Sequence, residues 1–305
     1  MASVTATLQP PPRLQRQPTA PAALAGVGAM TFVGSSVAIS ALLTDAPLFT
    51  AQSLRYALAC LLLLAFARLA RRRIVRPRGW EWTWLLGVVA TGMVLFNVAL
   101  VRGSLHAEPA VIGVAVASVP VLLAVVGPLL EGRRPRPVVL VAALVVTVGA
   151  ALVQGLGRSD TTGLAWALVV LLCEAGFTLL ALPVLGRHGP WGVSVHTTWL
   201  AALVFAVLGL VTEGPTAAGR LTGSHLGAVA ALAIGTTAVA FVLWYFAVGR
   251  LGSARAGLLT GVAPVAAALA GVAMGAPAPG PLVWVGIAVV AAGLTLGLLA
   301  VERET

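Results

Sequence analysis

Long apolar runs broken by short connections rich in proline, glycine and arginine set the pattern of this chain. A helix crossing about 30 Å of hydrocarbon needs about 20 apolar residues, each rising about 1.5 Å. Ten runs meet that length, at 22–44, 47–68, 82–104, 109–130, 137–155, 163–185, 190–212, 225–249, 255–275 and 281–301. The pattern predicts an all-α polytopic membrane protein with ten transmembrane helices. Connections such as QGLGRSDTTG (154–163) and GAPAPGP (275–281) are too short to hold a second domain. The stretches 22–68 and 109–155 read as helical hairpins, turned at Pro47 and at Pro135 and Pro137. Residues 1–21 differ: PPPRLQRQPTAP, with Arg13 and Arg16, reads as a disordered cytoplasmic tail. A cleaved signal peptide is the competing reading. The apolar run that follows is too long for its h-region, and no clear small-residue cleavage site follows.

Composition excludes the alternatives to a membrane. The 305 residues are 59% hydrophobic and 9% charged, with mean hydropathy +1.02. A soluble domain is about 45–50% apolar and about 25% charged, and a disordered chain is poor in apolar residues. The net charge of +10 comes entirely from arginine, with no lysine. Such a surplus suits either nucleic acid or a membrane surface. With the N-terminus inside, 15 of the 19 arginines fall in inside segments, including six from Arg68 to Arg78. Outside segments hold only Arg102, Arg158 and Arg220, and Arg55 lies within the second span. This bias predicts cytoplasmic termini and removes the case for nucleic acid, because the arginines are spread over loops facing anionic lipid. Trp80, Trp82, Trp84, Trp166, Trp191 and Trp284 fall near span ends, where indole rings anchor at headgroup level. Cys60 and Cys173 lie inside apolar runs, and with four scattered histidines they show neither a disulfide framework nor metal-ligand spacing. No GxxxxGK[ST] motif is present, so no nucleotide or other cofactor is expected.

The chain divides into similar halves, 22–157 and 158–301, followed by a short cytoplasmic C-terminus at 302–305. NVALVRGSLHAEPAVIGVAVASVPVLLAVVG (97–127) and YFAVGRLGSARAGLLTGVAPVAAALAG (245–271) each place an arginine at a helix end, a small-residue turn, and a mid-helix proline, Pro120 or Pro264. Five spans per half is an odd number, so the second half inserts upside down. Charge agrees: the loop after the second span carries six arginines and its counterpart after the seventh only Arg220; the loop after the fourth carries three and that after the ninth none. Inverted-topology repeats of this kind are typical of secondary transporters, with plain structural duplication as the bland alternative.

PLFTAQSLRYALACLLL (47–63), the mid-helix SVPV (118–121), the Glu-Gly at 131–132 and VTVGAALV (146–153) together resemble an EamA-type repeat of the drug/metabolite transporter superfamily. A second copy is carried by FVLWYFAVGRLGSARAGLLTGVAPV (241–265) and WVGIAVVAAGLTLGL (284–298). The resemblance covers about 22–301. It implies a ten-helix, two-repeat carrier of the bacterial inner (plasma) membrane that exports small metabolites or amino-acid-like compounds. It also implies a cavity lined mainly by the first, third, fourth, sixth, eighth and ninth helices. The acidic residue common after the ninth helix is absent, Ala276 occupying that region. Arg55 matches a position often basic in the family; eight residues into its helix, it is expected to snorkel outward in a structural role.

An ionisable group in the bilayer core is costly, and Glu174 is the one acidic residue near the centre of any span. A carboxyl there that changes protonation with access could couple proton movement to substrate movement; the alternative is a permanently protonated, hydrogen-bonded structural group. Ser35, Ser36, Asn97, Thr178, Thr236 and Thr237 share that depth as candidates for a cavity lining, each against a structural role in helix packing. Trp244 and Tyr245 could stack on substrate, but interfacial anchoring is the favoured reading. Pro120 and Pro264 are candidate hinges, with static kinking the alternative. His196 reads as a bundle-facing hydrogen-bonding group. Glycines four apart (Gly257 and Gly261, Gly271 and Gly275, Gly293 and Gly297) offer close-packing faces; intrachain packing is their default use, homodimerisation through the tenth span the other. Together these features favour a secondary carrier for a small molecule, with protons as co-substrate and the lipid bilayer as its setting. A passive facilitator or sensor on the same scaffold is the alternative. An intramembrane hydrolase is disfavoured: Gly34, Ser35 and Ser36 with His196 imitate a nucleophile and base, but no second glycine follows at elbow spacing.

Overall fold

The structure is a computed structural model that describes residues 19–275 and 277–299. Most of the expected tail, the C-terminal segment and Ala276 lie outside the described residues. Among those described, ten helices are long and apolar enough to span a bilayer. They are α1 (Thr19–Leu43), α2 (Leu48–Leu69), α3 (Glu81–Gly103), α4 (Pro109–Leu130), α5 (Pro137–Gln154), α6 (Thr161–Leu179), α7 (Leu182–Thr212), α8 (Gly223–Leu251), α9 (Ser253–Ala273) and α10 (Pro281–Leu299). Large apolar side chains such as Leu61, Leu203 and Val211 point outward. That surface needs hydrocarbon around it.

The ends follow local chemistry. Pro109, Pro137 and Pro281 begin their helices, where a missing N–H costs nothing. Asp160 caps α6 through Gly163 N at 2.7 Å, and Thr222 forms a reciprocal capping box with His225 on α8. Two caps come from distant carboxylates. Glu213, after α7, accepts from Phe49 N at 2.8 Å and Thr50 N at 2.9 Å and so closes the start of α2. Glu131, after α4, accepts from Ser253 N at 3.0 Å and Ser253 Oγ at 2.6 Å and closes the start of α9.

One expected boundary moves. The run 163–185 is interrupted at 180–181, because Pro183 cannot donate to the carbonyl one turn back. Residues 182–188 continue the sixth crossing, and the turn into the seventh lies at Gly189, whose φ of 63° favours glycine. Irregularities inside α3 and α8 were not anticipated from sequence. Each contains a π-helical segment, Ala90–Leu95 and Ala233–Val239, at corresponding places in the two halves. The breaks ahead of Pro120, at Ser118, and ahead of Pro264, at Leu259–Gly261, correspond as well.

The halves interlock. α2 packs on α7, α4 on α9 and α5 on α10, while α1 lies against α8 and α9, and α6 against α3 and α4. Between apolar helices in lipid, close approach supplies the attraction that water would otherwise drive. A Cβ on Gly34 would overlap the carbonyl of Ala263, and one on Gly149 would stand 2.6 Å from Val290 N. The glycine edge of α10 is turned to α5: a Cβ on Gly293 would meet Val146 N at 2.9 Å. Gly257 and Gly261 likewise face Leu123 and Val146. Gly275 packs on nothing; its φ of 97° ends α9 instead.

Candidate functional site

A cavity of about 1000 Å³ opens at the arginine-rich end of the bundle. Its wall draws on the connection after α2, the ends of α4 and α8, the starts of α5, α7 and α9, and the loop between α4 and α5. This differs in part from the helix set implied by resemblance: α1 and α3 give no residue to this wall, and the sixth crossing reaches it only through Leu182, Leu185 and Gly186, past the break at 180–181. Tyr245 is the deepest α8 residue on it. Of the polar residues read as cavity lining, Tyr245 alone stands here.

Beyond Tyr245, α8 is tied to α6. The Tyr245 hydroxyl donates to Phe177 O at 3.1 Å, and Trp244 Nε1 donates to Thr178 Oγ1 at 3.0 Å. Both rings are buried, which overturns interfacial anchoring. The reason is that this face of α8 is turned to α6, whose Thr178 Oγ1 and Phe177 O accept from the two polar tips. Thr178 is therefore occupied by Trp244. Glu174, one turn before Thr178, has no hydrogen bond or ion pair among the described residues, and it interacts electrostatically with Tyr245. Glu174, a half-buried residue, thus lies within electrostatic range of the residue at the far end of the α8 wall.

Nearer the arginine-poor end a polar chain joins three helices. Asn97 Nδ2 donates to Met93 O at 2.6 Å, and its Oδ1 accepts from Gln52 Nε2 at 2.9 Å. Gln52 Oε1 accepts from Arg55 at 3.4 Å, and Arg55 Nε donates to Thr237 Oγ1 at 2.9 Å. Thr237 donates in turn to Leu232 O at 3.2 Å, within the π-helical segment. Outward snorkelling of Arg55 is thus corrected: Thr237 and Gln52 hold the guanidinium inside, over the Tyr56 ring at 5.2 Å. Gln52 was overlooked in the sequence; a glutamine one turn before an intramembrane arginine was its signal. Ser36 bonds Val33 O at 2.6 Å, a packing role, while Ser35 is half-buried and Thr236 buried, neither with a side-chain hydrogen bond among the described residues. Pro120 and Pro264 are buried just past the breaks in α4 and α9.

At the arginine-rich end a second polar cluster braces α3 on α7. Arg187 and His188 both meet Glu81, and His196 Nε2 bonds Val75 O at 2.8 Å. Trp199 donates to His196 Nδ1, and Trp82 stands edge-on to both rings. His196 is a bundle-facing brace, and Trp82 belongs to that brace instead of the lipid interface. Trp80 and Trp284 remain exposed, as interfacial anchors require.

Glu131 shows how the mouth is held. Burial pushes its carboxyl up, but the hydrogen bonds from Ser253 and the Arg133 guanidinium outweigh this and hold it below the usual carboxylate range. With a depressed folded pKa, its stabilising contribution is present above the unfolded value of about 4.3 and is lost as pH falls through the folded pKa. Glu131→Gln should therefore cost about 1 kcal/mol near neutrality, as a lost helix cap does. In detergent melting curves the gap to wild type should close on acidification below pH 4.3; a gap that widens would contradict this role.

The profile of the EamA-like transporter family matches residues 20–154 and again 161–299. The uncharacterized transporter YetK of Bacillus subtilis is 25% identical over 249 residues, covering 79% of this chain and 76% of its own. A protein of Streptantibioticus cattleyicolor named "probable terminal-alkyne amino-acid exporter" is 29% identical over 230 residues, 72% of this chain and 74% of its own. A solved crystal structure of a protein shares the fold with a TM-score of 0.81 at 22% identity, over 93% of this chain and 99% of that one.

Proposed function

Because this chain belongs to the EamA-like transporter family, we propose that it is a secondary transporter exporting small amino-acid-like metabolites across the plasma membrane by alternating access, with protons moving inward in exchange. The observation that carries the reading is the cavity of about 1000 Å³ at the arginine-rich end, whose wall includes Tyr245, within electrostatic range of the membrane-embedded Glu174. Under the positive-inside rule that end is cytoplasmic, as are the termini, so this is the loading state of an exporter. The polar chain from Asn97 to Thr237 draws α2, α3 and α8 together nearer the opposite end. The amino-acid-like substrate is supported by the name of the Streptantibioticus relative.

Two matches of one family profile, five helices each, support an inverted repeat. Corresponding π-helical segments in α3 and α8, and corresponding breaks before Pro120 and Pro264, fit the same symmetry. In such a carrier α4 and α9 bend at these breaks when the open end alternates. Pro264→Ala should restore the backbone donor and shift the balance of inward- and outward-open states, read by labelling of cysteines placed at the two ends. An unchanged balance would remove the hinge.

Reconstituted vesicles loaded with pooled metabolites test the function itself. Counterflow of at least one compound, stimulated by an imposed pH gradient, is expected. Counterflow without any pH dependence would leave a passive facilitator, and no flux of any compound would leave a sensor.

A further inference from the structure

Six arginines, Arg72, Arg133, Arg134, Arg136, Arg250 and Arg255, converge on the wall of the cavity, against one carboxylate among the described residues, Glu131. Glu131 is already engaged by Arg133 and by the start of α9, so it adds little negative potential to the opening. Arg72, Arg134 and Arg255 form no ion pair among the described residues. Arg255 lies within electrostatic range of Arg136 and Arg133, two further positive charges on the same wall. Orientation in the membrane does not require this. It requires only that arginines lie at one end, a condition Arg68, Arg71 and Arg73 meet without touching the cavity wall. Four separate parts of the chain supply the convergent set: the connection after α2, the α4–α5 loop, the end of α8 and the start of α9.

Resting on the transport reading above, we infer that the cavity admits organic anions: its substrates bear a carboxylate or phosphate group, and the arginine ring draws them in from that end. A cleft lined by one sign of charge concentrates counter-ions and raises association rates by about 10- to 1000-fold, an effect that falls steeply with salt. Arginine also binds carboxylate and phosphate through paired donors, so the ring can select chemically as well as attract.

Vesicles of neutral phosphatidylcholine, loaded with pooled metabolites and followed by mass spectrometry of the effluent, test this. Neutral lipid removes anionic headgroups as an alternative occupant of the ring. The compounds that leave wild-type vesicles and stay in protein-free ones should carry at least one carboxylate or phosphate. R72Q/R134Q/R255Q should slow their efflux at low concentration by about tenfold or more, and raising salt should slow wild type toward the variant. R68Q/R71Q/R73Q removes the same charge from the same end, off the cavity wall, and should leave efflux near wild type. Transported compounds without an anionic group, or equal losses in both triple variants, would overturn the anion proposal while the transport reading stands. Absence of any efflux from wild-type vesicles would overturn both.

Discussion

Glu174→Gln should abolish the stimulation of transport by a pH gradient, a loss of tenfold or more in gradient-driven flux, while exchange of substrate for substrate continues. The expectation follows from position and surroundings. Glu174 lies thirteen residues from the start of α6 and fourteen from His188, where the sixth crossing ends, so it sits at mid-depth. No hydrogen bond or ion pair engages its carboxyl among the described residues, unlike Glu81, Glu108, Glu131 and Glu213, each committed to a named partner. Uncommitted carboxyls in hydrocarbon are expensive and are kept where they are used. Glutamine preserves shape and polarity but cannot release a proton, so folded yield should hold. Proton-driven flux undiminished in Glu174→Gln would sink the coupling role; Tyr245 would then stand only as a wall.

Gly286→Val should prevent a stable folded protein from accumulating. A Cβ at Gly286 would stand 2.7 Å from Gly149 O and 2.9 Å from Val153 N, and backbone cannot step aside as a flexible side chain can. The reciprocal approach of Gly149 to Val290 N means both helices are already at contact. Overpacking a well-packed site costs about 1–3 kcal/mol, and separating α5 from α10 along their length places this case at or above the top of that range. Melting temperature and monodisperse yield in detergent measure it. Gly227→Ala is the matched control, since a Cβ there meets nothing within 4 Å. Equal behaviour of the two variants would show that the α5–α10 crossing does not hold the bundle together.

Legibility differed between fold and site for a physical reason. Each span is long enough to declare itself by composition, and eight of the ten expected runs coincide with their helices to within about three residues, the sixth and seventh differing at the boundary they share. The exception, around 180–189, failed where Pro183 and Gly189 act within a few residues of each other, which hydropathy averages away. Trp244, Tyr245 and Arg55 were misplaced because a residue's distance from a helix end does not reveal its rotation. Amphipathic side chains at such positions can equally turn to lipid or to a neighbour.

From sequence alone come the membrane, the ten crossings, the two related halves, the family and the singular acid in α6, because these depend on composition and spacing along one dimension. Tertiary structure decided which polar groups meet. It joined Gln52 to Asn97 across 45 positions and Arg55 to Thr237 across 182, and it engaged Thr178 with Trp244 while giving Glu174 no hydrogen bond or ion pair among the described residues. It also gathered six of the dispersed arginines around one cavity. Helices in lipid choose their neighbours by close fit and by satisfying buried polar groups, and both are properties of faces brought together from distant parts of the chain.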